Sequence, residues 1–575
     1  MKLSDYVIDC LYKNNIKTIF TVSGGGSIFL CDSLFRSKNV EYVCCHHEQS
    51  VSFAAESYAR QTKRIGGAVV TTGPGGTNAI TGVASAWIDS VPVIFISGQV
   101  FLNQTIKNTG LRQLGVQEID IISLVKPITK YAVMIEDPKE IKYHFEKAIF
   151  LSQSGRPGPV WLDIPANIQN AEIDIKKIPS FKNKHTTTNK NSEKTNNQIK
   201  KVISLIKNSK KPLLHFGHGA RNNKSAKIIK DFVKRCNIPF TLTWNASDLI
   251  SSSNKMYMGR PGAFAERGSN FIVQNCDLFI SVGSRLPFMV TGYNSNDFAR
   301  NAVRVTVDID KNEINKKTIK FDHRIQCDSE VFLNILNKNL KNYKNKNNVW
   351  IKYCNSIRSK YPIVLPEFIK KNKYVNSYYF IDILSDVLNN NSTIVTDMGL
   401  SFVGTHQAFK IKGNQKLFTN SGHAPMGWGL PAAIGASFAK NKKEVICITG
   451  DGGLQMNIQE LATIMHHKLP IKIFIYNNGG YLTIKQTQQL GFEKRIMGAT
   501  KKSGLSFPNY KKIASSYNIK YKVLNSHRNM KQKILEIMNT QGPIIVEILM
   551  DSEQEQMPKA INKRGKDGKS IPTVF

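Results

Sequence analysis

The sequence predicts an α/β protein built from three doubly wound domains, each a parallel sheet covered by helices. Three observations support this fold class. The chain has 575 residues, which is too long for a single hydrophobic core. Apolar runs of strand length alternate with helical patterns, as expected when crossover helices join parallel strands. Two Asn- and Lys-rich stretches, 182–200 and 338–348, divide this pattern into three blocks and are expected to be linkers or surface excursions.

The composition points to a soluble cytoplasmic protein. Its formal net charge of +37 comes from residues spread along the chain rather than from a basic block. We therefore interpret the charge as solvated surface that attracts anionic substrates, and we expect no nucleic-acid partner. The nine cysteines include no C-x-x-C motif, which fits reduced thiols. The apolar runs are too short to span a membrane, and the first residues lack the apolar core of a signal peptide.

In the first block, four predicted strands end at turns that can carry a site. These turns are Ser23-Gly24-Gly25-Gly26 after strand 18–22, His46-His47-Glu48-Gln49 after strand 40–44, Gly73-Pro74-Gly75-Gly76-Thr77-Asn78 after strand 68–72, and Gln99 after strand 91–98. Glu48 falls where a strand gives way to a helix. The helix dipole there favours the charged carboxylate, whereas burial would favour the acid. On position alone, Glu48 is an ordinary carboxylate at a helix N-terminus.

The middle block has a Rossmann-like layout. Its predicted strands 212–216, 278–282 and 303–307 end at Gly217-His218-Gly219, at Gly283-Ser284-Arg285 and at Asp308. An acidic residue at the end of such a strand can bind a ribose hydroxyl. Asp308 is therefore a candidate ligand-binding residue in this block.

The most specific signal lies between Glu444 and Gln486. One predicted strand ends at Gly450-Asp451-Gly452-Gly453, a helix follows, and the next strand ends at Asn477-Asn478-Gly479-Gly480, which makes one βαβ unit. A right-handed crossover makes the two strands parallel, so Asp451 and Asn478, 27 residues apart, emerge at the same edge of the sheet. A carboxylate, an amide and a turn carbonyl suit Mg²⁺ and leave positions for phosphate oxygens. The predicted ligand is a magnesium diphosphate.

These motifs resemble those of a known family. GDG followed by NN at this spacing resembles the signature of thiamine diphosphate (ThDP) enzymes, and roughly residues 1–550 resemble the acetolactate synthase family. The resemblance implies that Asp451, Asn478 and the backbone carbonyl of Gly480 bind Mg²⁺. It also implies that Glu48 drives the aminopyrimidine of the cofactor toward its imino form.

The same resemblance implies a wider set of cofactor contacts. Gly24 and Gln99 are expected near the reacting end of ThDP, and Met426 is expected to prop the cofactor in its bent shape. The remaining expected ThDP contacts are Pro74, Asn78, Gly399, Ser401, Phe402, Gly450, Gly452, Gly453, Tyr481, Leu482 and Ile484.

The resemblance also implies a domain plan. We expect a pyrimidine-binding domain at 1–175, a Rossmann-like domain at 195–340, a diphosphate-binding domain at 365–550 and a basic tail at 551–575. Active sites in the family lie between subunits, which implies a homodimer or tetramer. The middle domain of acetolactate synthases holds FAD, which makes Gly217, Gly219, Arg285 and Asp308 candidates for flavin contacts. However, the G-A-R-F-D-D-R segment of the family becomes G-S-R-L-P-F-M at 283–289, so FAD binding stays open.

The expected activity is decarboxylation of a 2-keto acid, in the first place pyruvate, followed by transfer of the acyl unit to a second carbonyl. Acetolactate synthases carry G-M-V-x-Q-W after the NN pair, whereas this chain ends the aligned run in Thr487. Losing the indole should enlarge the acceptor pocket, which favours an acceptor such as a keto sugar or a sugar nucleotide of surface-polysaccharide synthesis. A simple decarboxylase or oxidase and a noncatalytic paralogue remain as alternatives.

Overall fold

Three parallel sheets of six, five and six strands follow one another along the chain, so the predicted fold class is confirmed. The computed structural model describes residues 1–182, 193–221, 223–370, 373–493 and 495–558, and the backbone of two short strands, Lys563–Arg564 and Ser570–Ile571. Beyond residue 558, the expected basic tail otherwise lies outside the described residues. In the described ranges, no helix is both long and apolar enough to cross a membrane.

The first domain is a six-stranded parallel sheet in the order β2-β1-β3-β4-β6-β5. Its strands are β1 (Thr18–Thr21), β2 (Glu41–Cys44), β3 (Gly66–Val70), β4 (Val93–Gln99), β5 (Tyr131–Met134) and β6 (Val160–Pro165). Its helices are α1 (Leu3–Lys13), α2 (Ile28–Arg36), α3 (Glu48–Thr62), α4 (Pro74–Ile88), α5 (Ile121–Val125), α6 (Ile141–Gln153) and α7 (Ala166–Gln169). The central strands β3 and β4 are buried along their whole length, as expected for a sheet covered by helices on both faces.

The central domain is a five-stranded parallel sheet in the order β11-β10-β9-β7-β8. Its strands are β7 (Pro212–Phe216), β8 (Phe240–Leu242), β9 (Leu278–Val282), β10 (Val303–Asp308) and β11 (His323–Gln326). Its helices are α8 (Glu193–Asn208), α9 (Asn223–Cys236), α10 (Arg267–Asn275), α11 (Phe288–Thr291), α12 (Lys311–Asn315), α13 (Ser329–Asn339) and α14 (Asn348–Lys360). Helix α14 follows the expected end of this domain but packs on its sheet, because Trp350 Nε1 donates to Pro212 O (3.1 Å).

The third domain is a six-stranded parallel sheet in the order β13-β12-β14-β15-β17-β16. Its strands are β12 (Thr393–Thr396), β13 (Lys416–Phe418), β14 (Val445–Gly450), β15 (Ile471–Asn477), β16 (Lys520–Leu524) and β17 (Ile544–Leu549). Its helices are α15 (Pro366–Lys370), α16 (Ser377–Val387), α17 (Leu400–Ala408), α18 (Gly429–Ala439), α19 (Asp451–Met456), α20 (Glu460–His466), α21 (Leu482–Gly491), α22 (Tyr510–Ser516) and α23 (Met530–Met538).

The first and third sheets share one topology. In each, the first strand lies between the second and the third, so the strand order reverses at β1/β3 and at β12/β14. Open parallel sheets bind ligands at the carboxyl ends of strands beside such a reversal. The chain therefore has two equivalent edges at which a ligand can be held, one in each outer domain.

Helices α3 and α18 join the first and third domains. Their backbones approach so closely that a Cβ on Gly435 would lie 2.1 Å from the carbonyl oxygen of Ala54. Ser57 Oγ donates to Ala432 O across the contact (2.6 Å). Apolar side chains of both helices belong to one continuous buried cluster. The two outer domains of one chain thus form a single packed unit.

A buried ionic cluster lies at the same contact. Arg60 Nη2 lies 2.8 Å from Asp89 Oδ2 and also pairs with Glu56. Glu56 accepts hydrogen bonds from Asn420 Nδ2 and Trp428 Nε1, each at 2.8 Å. Because every carboxylate in this cluster has charged or polar partners, the charges can be buried between the domains.

The structure corrects several boundaries expected from the sequence. Helix α4 begins at Pro74 rather than after Asn78, because proline suits the first helical position and Gly73 (φ 61°) supplies the turn before it. The predicted glycine turn at 450–453 is largely the first turn of α19. Residues 193–200, expected as linker, begin α8, and the rest of that stretch, apart from residue 182, lies outside the described residues. The glycine loops at 73–76 and 450–453 thus place the N-termini of α4 and α19 at the sheet edges of their domains, where the helix N–H groups favour anions.

Candidate cofactor site

Glu48 opens helix α3 and is almost fully buried, with 8% of its surface exposed. His47 caps the helix, because its Nδ1 accepts a hydrogen bond from the N–H of Gln49 (3.1 Å). Asn78 donates from Nδ2 to Glu48 Oε2 (3.0 Å). Among the described residues no hydrogen bond reaches Glu48 Oε1, so this oxygen can serve a ligand. The structure therefore brings two predicted site residues, Glu48 and Asn78, into direct contact.

Three chain segments converge around this carboxylate at the first strand-order reversal. A Cβ on Gly24, after β1, would lie 2.6 Å from the side chain of Thr71, which follows β3. A Cβ on Gly75 would lie 2.8 Å from the same threonine and 3.6 Å from Glu48 Oε1. Pro74 starts the adjoining helix α4. The absence of side chains at the two glycines lets these turns pack closely around Thr71, beside Glu48.

Gln99 ends β4 and is 2% exposed. Its amide is committed to protein groups: Nε2 donates to Ile119 O (3.0 Å) and to Asp163 Oδ2 (3.2 Å), while Oε1 accepts from Val100 N (3.1 Å). Burial raises the pKa of Asp163 to about 7. Gln99 adjoins the first site, since a Cβ on the preceding Gly98 would lie 2.0 Å from Gly26 O. Its polar atoms, however, are bonded to other residues of the first domain.

Asp451 is the organising residue of the second edge. Its Oδ2 accepts the N–H groups of Asn478 (3.2 Å), Gly479 (2.9 Å) and Gly480 (3.1 Å), and its Oδ1 accepts Gly452 N (2.8 Å). The spacing read from the sequence thus reflects a direct contact between the two turns. Burial raises the pKa of Asp451 to about 6, although these N–H donors pull it down.

The donor set at this edge fits a divalent cation. In the described part of the chain, Asp451 has no Lys or Arg partner, and the Asn478 side chain makes no hydrogen bond there. The carbonyl of Gly480 accepts Leu482 N (3.1 Å) and keeps a second lone pair. The described residues hold no group of three or more His, Cys, Asp or Glu suited to a metal, so a cation here would rely on these oxygen ligands and on phosphate, as Mg²⁺ does.

The turns beside Asp451 surround the same edge. Gly399 (φ 75°) precedes α17, and Ser401 Oγ donates to Met398 O (2.7 Å). A Cβ on Gly450 would meet nothing within 4 Å, which leaves this backbone open, whereas a Cβ on Gly452 would lie 2.0 Å from the ring of Tyr481.

Met426 also reaches this edge, since its Cε lies 3.1 Å from the position that a Cβ on Gly452 would take. The structure therefore brings Met426, Gly452 and Tyr481 together. A Cβ on Gly453 would lie 2.6 Å from Asp397 Oδ2, so that glycine serves packing between turns.

Two of the predicted contacts face elsewhere through their side chains. Phe402 packs edge-on against Trp244 of the central domain, with ring centroids 4.7 Å apart. Leu482 is buried in the core of the third domain. Ile484, in the first turn of α21, is 47% exposed. Of these three side chains, Ile484 is the one that faces outward beside the site.

The flavin candidates of the central domain use their polar groups within the protein. Gly217 N donates to Val282 O (3.0 Å) and Gly219 N to Gly283 O (2.9 Å), so these glycines pack two loops together. Arg285 approaches Asp89 of the first domain (3.7 Å). Asp308 accepts Asp310 N (3.0 Å), and burial raises its pKa. The N–H groups of Gly217 and Gly219 are thus not free for a dinucleotide pyrophosphate, which binds to free N–H donors.

Sequence reasoning missed two residues that tie the site together. Asn457 accepts a hydrogen bond from Ser50 Oγ (3.0 Å) and donates to Gln49 Oε1 (3.1 Å) and Gly427 O (2.8 Å). It thereby connects the helix that begins with Glu48 to the turn that follows Met426. Asp397 joins three turns of the third domain. A polar residue directly after a buried strand was the available signal for Asp397, whereas Asn457 gives no local signal.

The fold and these two edges define a thiamine pyrophosphate enzyme. Three family models match in order: the N-terminal TPP binding domain over residues 1–124, the central domain over 199–336, and the C-terminal TPP binding domain over 397–548.

Full-length relatives narrow the class. The acetolactate synthase large subunit of Cyanidium caldarium is 32% identical, with 96% of this chain and 94% of that protein aligned. The corresponding subunit of Lactococcus lactis is 30% identical (96% and 93% covered), and the isozyme 1 large subunit of Escherichia coli is 29% identical (96% and 95% covered). The chain belongs to the acetolactate synthase large-subunit family of thiamine pyrophosphate enzymes.

Proposed function

We propose that the protein is a ThDP- and Mg²⁺-dependent decarboxylating carboligase that takes a 2-keto acid, in the first place pyruvate, as donor and a second carbonyl compound as acceptor. The observation that carries this proposal is the Asp451 carboxylate, which gathers the N–H groups of the turn at 478–480. Family membership with acetolactate synthases supports the reaction class.

The residues present divide the work between the two edges. When bound, ThDP supplies a nucleophilic carbon and accepts the electrons released by decarboxylation. Asp451, Asn478 and the carbonyl of Gly480 would hold Mg²⁺ and, through it, the diphosphate. Glu48 would exchange a proton with a ring nitrogen through Oε1, while Asn78 keeps Oε2 occupied. Met426 and Tyr481 would supply apolar surface against the bound cofactor.

We propose an acceptor larger than pyruvate. Thr487 is exposed on α21, on the same face as Ile484, and its Oγ1 donates back to Thr483 O (2.9 Å). Acetolactate synthases carry a tryptophan at the position of Thr487. The shorter side chain of threonine on this face of α21 supports a wider acceptor pocket. A keto sugar or a sugar nucleotide would fit such a space, and the positive net charge of the chain favours an anionic acceptor.

We further propose a homodimer or tetramer in a reducing, cytoplasmic compartment. Large apolar side chains are exposed near both edges, among them Leu114 and Val116 in the first domain and Phe492 and Met497 in the third. Exposed apolar side chains that form a contiguous patch are typical of contact surfaces. All nine cysteines are free thiols, which supports a reducing environment. Light scattering on the purified protein tests the oligomer.

The proposed reaction needs no flavin, and the N–H groups of Gly217 and Gly219 are already bonded within the protein. The flavin absorbance of purified protein tests this directly.

The proposed activity is tested with purified protein, ThDP, Mg²⁺ and labelled pyruvate, with and without ketone acceptors, beside Glu48→Gln. Acetolactate formed at biosynthetic rates, with bulkier ketones ignored, would refute the larger acceptor. Turnover that does not depend on Glu48 with any acceptor would refute the carboligase itself.

A further inference from the structure

Asp397 lies directly after β12, at the strand-order reversal of the third domain. It is fully buried, with 0% of its surface exposed. Three turns meet at its carboxylate: its own turn before α17, the turn that follows Met426, and the end of β14 that leads to Asp451. Each of these turns carries or leads to residues that the family resemblance assigns to the cofactor.

Every contact of the carboxylate comes from a donor. Oδ1 accepts Met398 N (2.7 Å) and Gly427 N (3.0 Å), and Oδ2 accepts Thr449 Oγ1 (3.0 Å). Gly429 N contributes a further hydrogen bond. An asparagine would accept the two N–H groups with a neutral oxygen and would turn its NH₂ toward Thr449 Oγ1, which could accept it while donating to Gly450 O (3.2 Å). The loss would therefore come from the missing charge, because hydrogen bonds to an ionised carboxylate are stronger than those to a neutral amide.

The glycines around Asp397 show that the turns are shaped to it. A Cβ on Gly453 would lie 2.6 Å from Asp397 Oδ2, and a Cβ on Gly429 would lie 2.9 Å from Asp397 Cβ. Contacts under 3.0 Å require something to shift. The turns after Met426 and at Asp451 therefore pack so closely on Asp397 that neither Gly429 nor Gly453 has room for a side chain.

We propose that Asp397 is a positioning residue that holds the three cofactor-binding turns of the third domain in register before ThDP arrives. This inference rests on the proposed cofactor site. Asp397 itself contacts no ligand, since its oxygens are occupied by the turns. Its effect is pre-organisation: binding loses affinity when the site must be ordered at the moment of binding.

The test compares ThDP binding by calorimetry, with Mg²⁺ in excess, for wild type, Asp397→Asn and a matched control, Asp277→Asn. Asp277 also accepts loop N–H groups, from Lys210 and Lys211 (2.9 Å each), but lies in the central domain. We expect the dissociation constant for ThDP to rise about tenfold or more in Asp397→Asn, the size of one charge-assisted hydrogen bond, and to stay within about twofold in the control. Thermal unfolding of the cofactor-free proteins is measured in parallel.

A second pair of variants covers the case in which Asp397→Asn does not fold. Thr449→Val removes one donor to Oδ2 and should weaken ThDP binding several-fold, whereas Thr449→Ser keeps the hydroxyl and should restore it. Wild-type affinity in Asp397→Asn, with or without a lower melting temperature, would overturn the positioning role, as would equal affinities of the two Thr449 variants. Failure of wild type to bind ThDP would instead overturn the cofactor site itself.

Discussion

Gly435→Ala tests the contact that joins the two outer domains. Two effects oppose each other at this position. Alanine is favoured over glycine inside a helix by about 1 kcal/mol, so an isolated α18 would gain stability. Against this, the new Cβ would lie 2.1 Å from the carbonyl oxygen of Ala54. That oxygen belongs to the backbone of α3 and cannot rotate away, so the helices must separate by about 1 Å, and overpacking of this kind costs about 1–3 kcal/mol or more.

We expect the steric effect to win, because the contact is between two backbones. If the steric cost lies in the upper part of that range, about 2–3 kcal/mol, the gain of about 1 kcal/mol leaves a net loss of about 1–2 kcal/mol. For a domain of roughly 150–250 residues this loss lowers the melting temperature by about 2–8 °C. The turnover rate should also fall, by up to about a hundredfold, because a misplacement of catalytic groups by about 1 Å can have an effect of that size. The helices carry such groups, since α3 begins at Glu48 and α18 follows Met426.

Thermal unfolding at a fixed scan rate and steady-state turnover measure both effects. Gly491→Ala is the matched control, because a Cβ at the end of α21 would meet nothing within 4 Å. The control should keep or slightly raise the melting temperature. A Gly435→Ala protein that melts at or above wild type would refute the reasoning, because propensity would then outweigh the helix contact.

Four further predictions follow from single side chains. Glu48→Gln should lower kcat by about 10²–10⁴-fold while ThDP affinity in calorimetry stays near wild type; unchanged kcat would contradict the proton role. Burial raises the pKa of Asp163 to about 7, so the folded state holds a proton that the unfolded state releases. The free energy of unfolding therefore falls as pH rises from about 4 to about 7. The melting temperature of Asp163→Asn should rise progressively above that of wild type across this pH range, and a difference in melting temperature that does not change with pH would contradict the prediction. Burial, with nearby cations, lowers the pKa of Lys416 to about 8, so the unfolded state binds more protons between about pH 8 and pH 10. The free energy of unfolding therefore rises with pH over this range. Lys416→Gln should raise the melting temperature at pH 7 by an amount that fades toward pH 10, and an unchanged melting temperature at pH 7 would contradict the prediction. Thr487→Trp should shift product ratios toward small keto-acid acceptors in competition assays, and an unaltered ratio would remove Thr487 from the acceptor pocket.

The sequence could predict the parts of this site that depend on short spacing. Asp451 and Asn478 lie at the two ends of one βαβ unit, and the handedness of that unit alone places them at one edge. The sequence also predicts the glycine loops at 73–76 and 450–453. Their helices start earlier than the apolar periodicity predicts, because α4 and α19 open with Pro74-Gly75-Gly76 and Asp451-Gly452-Gly453, which carry no large apolar side chain.

Other features depend on partners far along the chain. Gln99 matches a family position, yet its amide is held by Asp163, 64 residues away. The sequence predicts Phe402 and Leu482 as cofactor contacts, but the ring of Phe402 and the methyl groups of Leu482 lie in apolar clusters. Burying a large apolar side chain is favourable, and this decides which way the side chain turns. No pattern along the chain reveals which way such a side chain turns.

The amino-acid sequence by itself determined the three parallel-sheet domains, the family and the Asp451–Asn478 pair, because strand and helix periods and a short crossover are local properties. The tertiary structure alone decided the packing of α3 on α18 and the convergence of three turns on Asp397, whose partners Gly427 and Thr449 lie 30 and 52 residues away. A buried carboxylate must find donors wherever the fold supplies them, and only the folded chain brings those donors together.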